Sequence, residues 1–373
     1  MMHEVLERLA AEGNLRHLPQ IEIEGAYVVS EGKRYLNLSS NDYLGLSCSG
    51  LHREFMAQAA ADSSFLLSNP SSRLITGNSP DYTRLERKLS AMYDGKAVLV
   101  VGCGYMANTG VLPAVTRKGD LILADKLIHA SLIDGLRQCE ADWKRFNHND
   151  MEHLERLLEK YRSDYHDVWI VTESVFSMDG DRAPLREIVD LKRRYDTKIY
   201  LDEAHAFGVY GPDGRGGAAE AGVEDACDVR MATLGKALAS QGAFVVTDAL
   251  TRDFLVNRMR TLIFSTALPP ISLRWTEFLI DRLPRMNDRR ERLARYVERI
   301  TGESDRTHII PLMAGENRRA IEMSRRFREA GYWVMPIRPP TVPQGKARIR
   351  ISLTAALTDE QVDNFAELCR SIG

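Results

Sequence analysis

From Ala97 onward the chain alternates short apolar runs with longer stretches whose apolar residues recur every three or four positions. The runs Ala97–Val101, Leu121–Ala124, Val168–Thr172, Lys198–Leu201 and Ala243–Thr247 are too short for buried helices and read as strands. Between them lie helical patterns, one around Ser131–Cys139 and one over Met151–Lys160, where Met151, Leu154, Leu157 and Leu158 share a face. Strands alternating with helices predict a mostly parallel sheet covered on both faces. After Pro269–Pro270 the pattern changes to a long Arg-rich helical stretch reaching about Ile300. Strand His308–Pro311, helix Asn317–Ala330, strands Trp333–Pro336 and Arg348–Leu353 and a last helix follow. Thr358 with Gln361 three residues later forms a capping-box pattern that opens this last helix. At the other end Val5, Leu6 and Leu9 predict an amphipathic helix without the apolar core of a signal peptide. The expected organisation is an N-terminal arm over residues 1–45, a large α/β domain over 46–270 and a small α+β domain, with its linking helix, over 271–373.

Bulk composition narrows the function by exclusion. With 50 basic and 52 acidic side chains in 373 residues, the net charge of −2 offers no general attraction for nucleic acid or an anionic membrane. No apolar run approaches the roughly 20 residues a membrane helix needs. Five scattered cysteines without metal-ligand spacing favour free thiols in a reducing cytoplasm and no metal site.

The polar residues that could do chemistry follow the strand candidates. In open α/β sheets the carboxyl ends of strands are where ligands bind. Gly102–Asn108, GCGYMAN, joins a strand to a helix; its glycines allow close backbone approach and the helix start presents free N–H groups to an anion. By itself such a turn is more often a plain tight turn. Asp202, Glu203, Ala204 and His205 spell the acidic box of a nucleotide-driven helicase. That reading requires a phosphate loop ending in Gly-Lys-Ser/Thr, and Lys236 is followed by Ala237 with Arg230 where the first glycine belongs. Taken alone, Asp202 reads equally as a turn cap and His205 as a buried core histidine. Lys236 lies between Gly235 and Ala237, after one apolar run and before another, a setting for a partly buried amine of lowered pKa that attacks carbonyls. His129, Glu173, Ser177, Asn41 and Arg350 sit at similar turns. A phosphate-type turn, an acid and an amine together are the parts of a pyridoxal phosphate site.

SSNDYLGL, SSRLITGN, ADKLIHASL, TESVFSMDGD, LDEAHAFGVYG, TLGKALAS and RIRISLTAA, in this order from Asn41 to about Thr358, resemble the successive motifs of the α-oxoamine synthases. These are fold-type I pyridoxal phosphate enzymes that condense an amino acid with an acyl-CoA. The resemblance implies that Lys236 forms the Schiff base and moves the substrate α-proton, that Asp202 pairs with the pyridinium nitrogen and His205 with the ring hydroxyl, and that His129 stacks on the ring. It also implies cofactor contacts from Gly104, Tyr105, Ser177 and Thr233, and from Ser265 and Thr266 in IFSTALPP across a homodimer with shared active sites. Arg350 would hold the amino-acid carboxylate, Asn41 and Thr341 would lie near substrate, and Arg16 would reach the far carboxylate of the acyl chain. The LRHLP arm and the chain length resemble the biotin-pathway branch, which uses L-alanine and a pimeloyl group carried by CoA or acyl carrier protein. A branch of glycine C-acetyltransferase or serine palmitoyltransferase type, and a non-catalytic scaffold subunit, are the alternatives. The sequence departs from the family pattern at Asn69–Pro70, at Ala239 where glycine is common, and at Leu357 where histidine often stands.

Overall fold

Strand Lys198–Asp202 shows how the sequence builds the centre of the protein. Its side chains alternate, Tyr200 packing into one apolar cluster and Ile199 and Leu201 into another, so both faces of the strand are covered. In the computed structural model, which describes residues 1–62 and 64–372, this strand belongs to a seven-stranded sheet. The order is Ala97–Val101, Ala243–Thr247, Val229–Thr233, Lys198–Asp202, Val168–Glu173, Leu121–Asp125 and Asp142–Phe146. Ala243–Thr247 runs antiparallel to both neighbours and every other pairing from Val229–Thr233 outward is parallel. On one face Leu112, Leu132 and Leu136 pack from helices Gly104–Val115 and Ala130–Gln138; on the other Leu154, Leu158 and Ile188 pack from Met151–Tyr161 and Leu185–Tyr195. Each such side chain taken from water contributes about 1.5–3 kcal/mol, which makes the sheet a rigid base for the loops at its ends. The sheet and its helices form one compact unit of residues 53–176 and 182–287.

The second compact unit combines residues 1–52, the short segment Ser177–Asp181 and the chain from Asp288 onward. It holds a three-stranded sheet in the order Ile309–Gly315, Ala347–Ser352, Met335–Ile337 and a four-stranded one built from Glu22–Glu24, Tyr27–Ser30, Lys33–Asn37 and Tyr332–Trp333. The breaks near 52 and 287 do not coincide with the boundaries expected at 45 and 270.

Two predicted elements take a different form. The single strand Trp333–Pro336 is two: Tyr332–Trp333 pairs parallel with Leu36 and Asn37, whereas Met335–Ile337 pairs antiparallel with residues 348–350. The Arg-rich helix from Pro270 is interrupted, with helices Pro270–Ile280 and Asn287–Thr301 separated by a 3₁₀ turn over Leu283–Arg285. Pro284 lacks the N–H that a continuous helix needs there.

Among the described residues, no helix is long and apolar enough to cross a membrane. No group of three or more His, Cys, Asp or Glu side chains among them is placed to hold a metal ion.

Candidate active site

Three adjacent parallel strands, Val168–Glu173, Lys198–Asp202 and Val229–Thr233, end at one cleft of about 170 Å³ in the larger unit. Asp202 is the last residue of its strand and lies beside Glu173, the last residue of the neighbouring parallel strand. Both carboxyl groups are buried. His205, also buried, follows in a turn held by amides of Ala206 and Phe207 donating to the Glu203 carbonyl. Lys236 stands on a loop that closes on itself, Leu234 N donating to the Gly242 carbonyl and Ser240 N to the Leu234 carbonyl. Its Nζ lies 2.8 Å from His205 Nε2. Gly104, Tyr105, His129 and Thr233 complete the predicted part of the lining.

His129 is the N-cap of helix Ala130–Gln138, its Nδ1 accepting from Ser131 N at 3.2 Å, while its own N–H donates to the Glu173 carboxyl. The imidazole opens onto the cleft, and the protein packed around it holds its pKa below the ordinary value, with Asp202 acting in the opposite sense. Burial pushes the Glu173 carboxyl well above the usual range, the neighbouring Asp202 charge adds to this, and Lys236 opposes it.

The helix Gly104–Val115 begins at the cleft, its first two residues in the lining and Cys103 Sγ capping it by accepting from Met106 N. A Cβ added at Gly104 would meet nothing nearer than Met231 and Thr233, at 3.7–3.8 Å, so the glycine leaves space at the helix start that an anion can use. A helix start in the lining, a buried acid at a strand end and an amine within reach of the same cleft fit pyridoxal phosphate.

The other predicted residues lie elsewhere. Arg350, on strand Ala347–Ser352 of the smaller unit, donates from Nε to the Ser177 carbonyl at 2.5 Å and from Nη2 to Asn41 Oδ1 at 3.1 Å. The structure thus joins Arg350, Asn41 and Ser177 in one cluster. Arg16 Nη2 donates to Thr341 Oγ1 at 3.0 Å, and both line a cavity of about 630 Å³ with apolar walls from Leu15, Ile321 and Met335. Arg338 lines it too, its pKa lowered by burial and then by the Arg16 charge. Thr266 is exposed and bridges to Ser72. Sequence reading passed over Asn108, Ser131 and Ala204 in the cleft. Their signal is periodicity: Asn108 is one helical turn after Gly104, and Ser131 and Ala204 are each two residues from a predicted residue.

The aminotransferase class I and II family profile matches residues 33–368. The chain is 47% identical to the 8-amino-7-oxononanoate synthase of Haemophilus ducreyi, over 97% of this chain and 98% of that one. The chain belongs to the α-oxoamine synthases within this aminotransferase family. Serine palmitoyltransferase from S. paucimobilis with bound PLP superposes with a TM-score of 0.91 at 27% identity, covering 100% of this chain and 96% of that one. For the 8-amino-7-oxononanoate synthase of Francisella tularensis the TM-score is 0.75 at 26% identity, with 90% and 98% covered.

Proposed function

We propose that the chain is a pyridoxal phosphate-dependent acyltransferase that joins L-alanine to a pimeloyl group carried by CoA or acyl carrier protein. The products are 8-amino-7-oxononanoate, CO2 and the free thiol, in biotin synthesis in the cytoplasm. The observation that carries this reading is Lys236 Nζ at 2.8 Å from His205 Nε2 in a cleft floored by Asp202, in a chain 47% identical to an enzyme of that name. A non-catalytic scaffold would have no need to keep these groups together. The 47% identity to the 8-amino-7-oxononanoate synthase of Haemophilus ducreyi supports alanine over serine.

When bound, pyridoxal phosphate supplies an aldehyde for amines and a ring that accepts the electrons left as a Cα bond breaks. Lys236 provides the amine that holds it, then the base that moves the substrate α-proton. Asp202 would pair with the ring nitrogen, and His205 with the ring hydroxyl. Gly104, Tyr105 and Thr233 would surround the cofactor, Thr233 toward its phosphate, and His129 would stack on the ring face. Arg350 presents a guanidinium suited to a carboxylate through two parallel hydrogen bonds, with Asn41 aligning it. Arg16 and Thr341 receive the far carboxylate of the acyl chain. Ser265 and Thr266 reach the phosphate of a second subunit.

The test is a matrix of amino acids against acyl thioesters, scored by thiol release. Alanine with a pimeloyl thioester is expected to give the highest kcat/KM. Preference for glycine or serine, or for a chain without a terminal carboxylate, defeats the substrate assignment.

A further inference from the structure

The sequence does not single out Asn108, yet this side chain joins the acid of the cleft to its histidine. It lies on the second turn of helix Gly104–Val115 and is 1% exposed. Its Nδ2 donates to Asp202 Oδ2 at 2.8 Å and to Ser131 Oγ at 2.9 Å, and its Oδ1 accepts from Tyr200 Oη at 2.7 Å.

The direction of each bond is forced. A carboxylate oxygen only accepts, so the amide nitrogen must face Asp202 and the amide oxygen must face Tyr200. Tyr200, buried two residues before Asp202 on the same face of the strand, is held far above its ordinary pKa by burial, then by the Asp202 charge, and remains a donor. His129 Nδ1 accepts from the Ser131 backbone N–H at 3.2 Å, so the Ser131 hydroxyl, 2.7 Å from the same nitrogen, must donate to it while its oxygen accepts from Asn108. Nδ1 is then an acceptor, and the ring carries its proton on Nε2. The second oxygen of Asp202 accepts from Ala204 N at 2.8 Å, so both oxygens are fixed.

We infer that Asn108 is a positioning residue that holds, through one network, the orientation of the Asp202 carboxylate and of the Ser131 hydroxyl that donates to His129 Nδ1. A buried asparagine serving only the core would satisfy its own amide without linking two groups of the cleft. This inference rests on the proposed cofactor reading for its consequence and on hydrogen bonding alone for the network.

Asn108→Leu keeps the volume and removes both donors. Two readouts are required to move. Pyridoxal phosphate binding, followed by absorbance on the full chain, is expected to weaken about tenfold, the scale of one hydrogen bond to a charged group. In the cofactor-free chain labelled with ¹⁵N-histidine, the titration midpoint of His129, assigned by its loss in His129→Gln, is expected to rise, because the Ser131 hydroxyl, no longer held by Asn108, donates less firmly to the neutral ring. Ser131→Ala is expected to raise that midpoint as well. Either readout unchanged in Asn108→Leu overturns the proposal. If circular dichroism shows this variant unfolded, Asn108→Ser takes its place under the same requirement. Wild-type protein that does not bind pyridoxal phosphate defeats the cofactor reading instead, while the histidine titration still judges the network.

Discussion

At Ala239, three residues after Lys236, the backbone has φ of +46°, a left-handed conformation in which Cβ crowds the carbonyl. Its N–H donates to the Lys236 carbonyl at 2.8 Å and its own carbonyl accepts from Trp275 Nε1 at 3.1 Å, so the surroundings hold the strain in place. Glycine, common here in the family, carries no such cost. Ala239→Gly is predicted to raise stability by about 1 kcal/mol in urea unfolding without moving the loop; a loss of stability would show that the alanine methyl packs better than its backbone suggests. Glu203 shows a second kind of strain. Its buried carboxylate accepts from Gly217 N at 2.7 Å and Ala218 N at 2.9 Å, and a Cβ at Gly216 would lie 1.9 Å from it. Burial pushes its pKa up from 4.5 to about 7, against those two hydrogen bonds. The folded state therefore binds this proton more tightly than the open chain does. Stability is favoured below pH 4.5 and falls as pH rises to 7, by an amount on the order of 3 kcal/mol. Glu203→Gln should flatten this part of the pH profile of unfolding; a slope parallel to that of wild type would sink the assignment.

Elements were legible wherever burial on both faces imposed a continuous apolar run. Ala97–Val101 and Ala243–Thr247 match the predicted strands, and Val168–Glu173 and Lys198–Asp202 extend theirs by one acidic residue each. Those added residues are the carboxylates of the cleft, invisible to a hydrophobic pattern because their role is chemical. Strand Asp142–Phe146, DWKRF, went unread because a sheet edge exposes its charged side chains. The split at 332–337 was also hidden, since pairing with two different sheets leaves no mark on local apolar content. Within the site, Lys236, Asp202, His205 and His129 were legible from motifs, whereas Asn108 was not: a buried polar residue inside a helix shows its use only through its partners. Where the signal is local chemistry, prediction and structure agree. Thr358 N donates to Gln361 Oε1 at 2.9 Å and Gln361 N to Thr358 Oγ1 at 3.2 Å, the reciprocal pair that opens helix Asp359–Ile372. Thr358→Ala is predicted to cost about 1 kcal/mol, read by urea unfolding at constant m. A cost below a few tenths would mean that solvent replaces the cap.

At the scale of the whole molecule, the larger unit carries a surface that a single chain leaves uncovered. Leu74, Ile75 and Phe264 are all exposed, Ile75 at 78% and Phe264 at 71%. They sit on two segments tied together by the Ser72–Thr266 bridge and by Ala267 N donating to the Ser71 carbonyl at 2.9 Å. An apolar surface beside two hydroxyl residues suits a subunit interface at which Ser265 and Thr266 address a neighbouring phosphate, and this is the basis for proposing a homodimer with shared sites. Lys236→Ala and Thr266→Ala would then lie in different halves of each site. Each variant alone is first shown to be impaired, Lys236→Ala by loss of the borohydride-reducible link to the cofactor and of nearly all turnover. Subunits of the two are then mixed and exchange is verified by mass. One of the two sites in a mixed dimer regains both groups and the other loses both. With half the population mixed, activity should recover to about a quarter of wild type if subunits pair at random. Proven exchange without any recovery would place Thr266 in the same site as its own Lys236 and remove the case for shared sites.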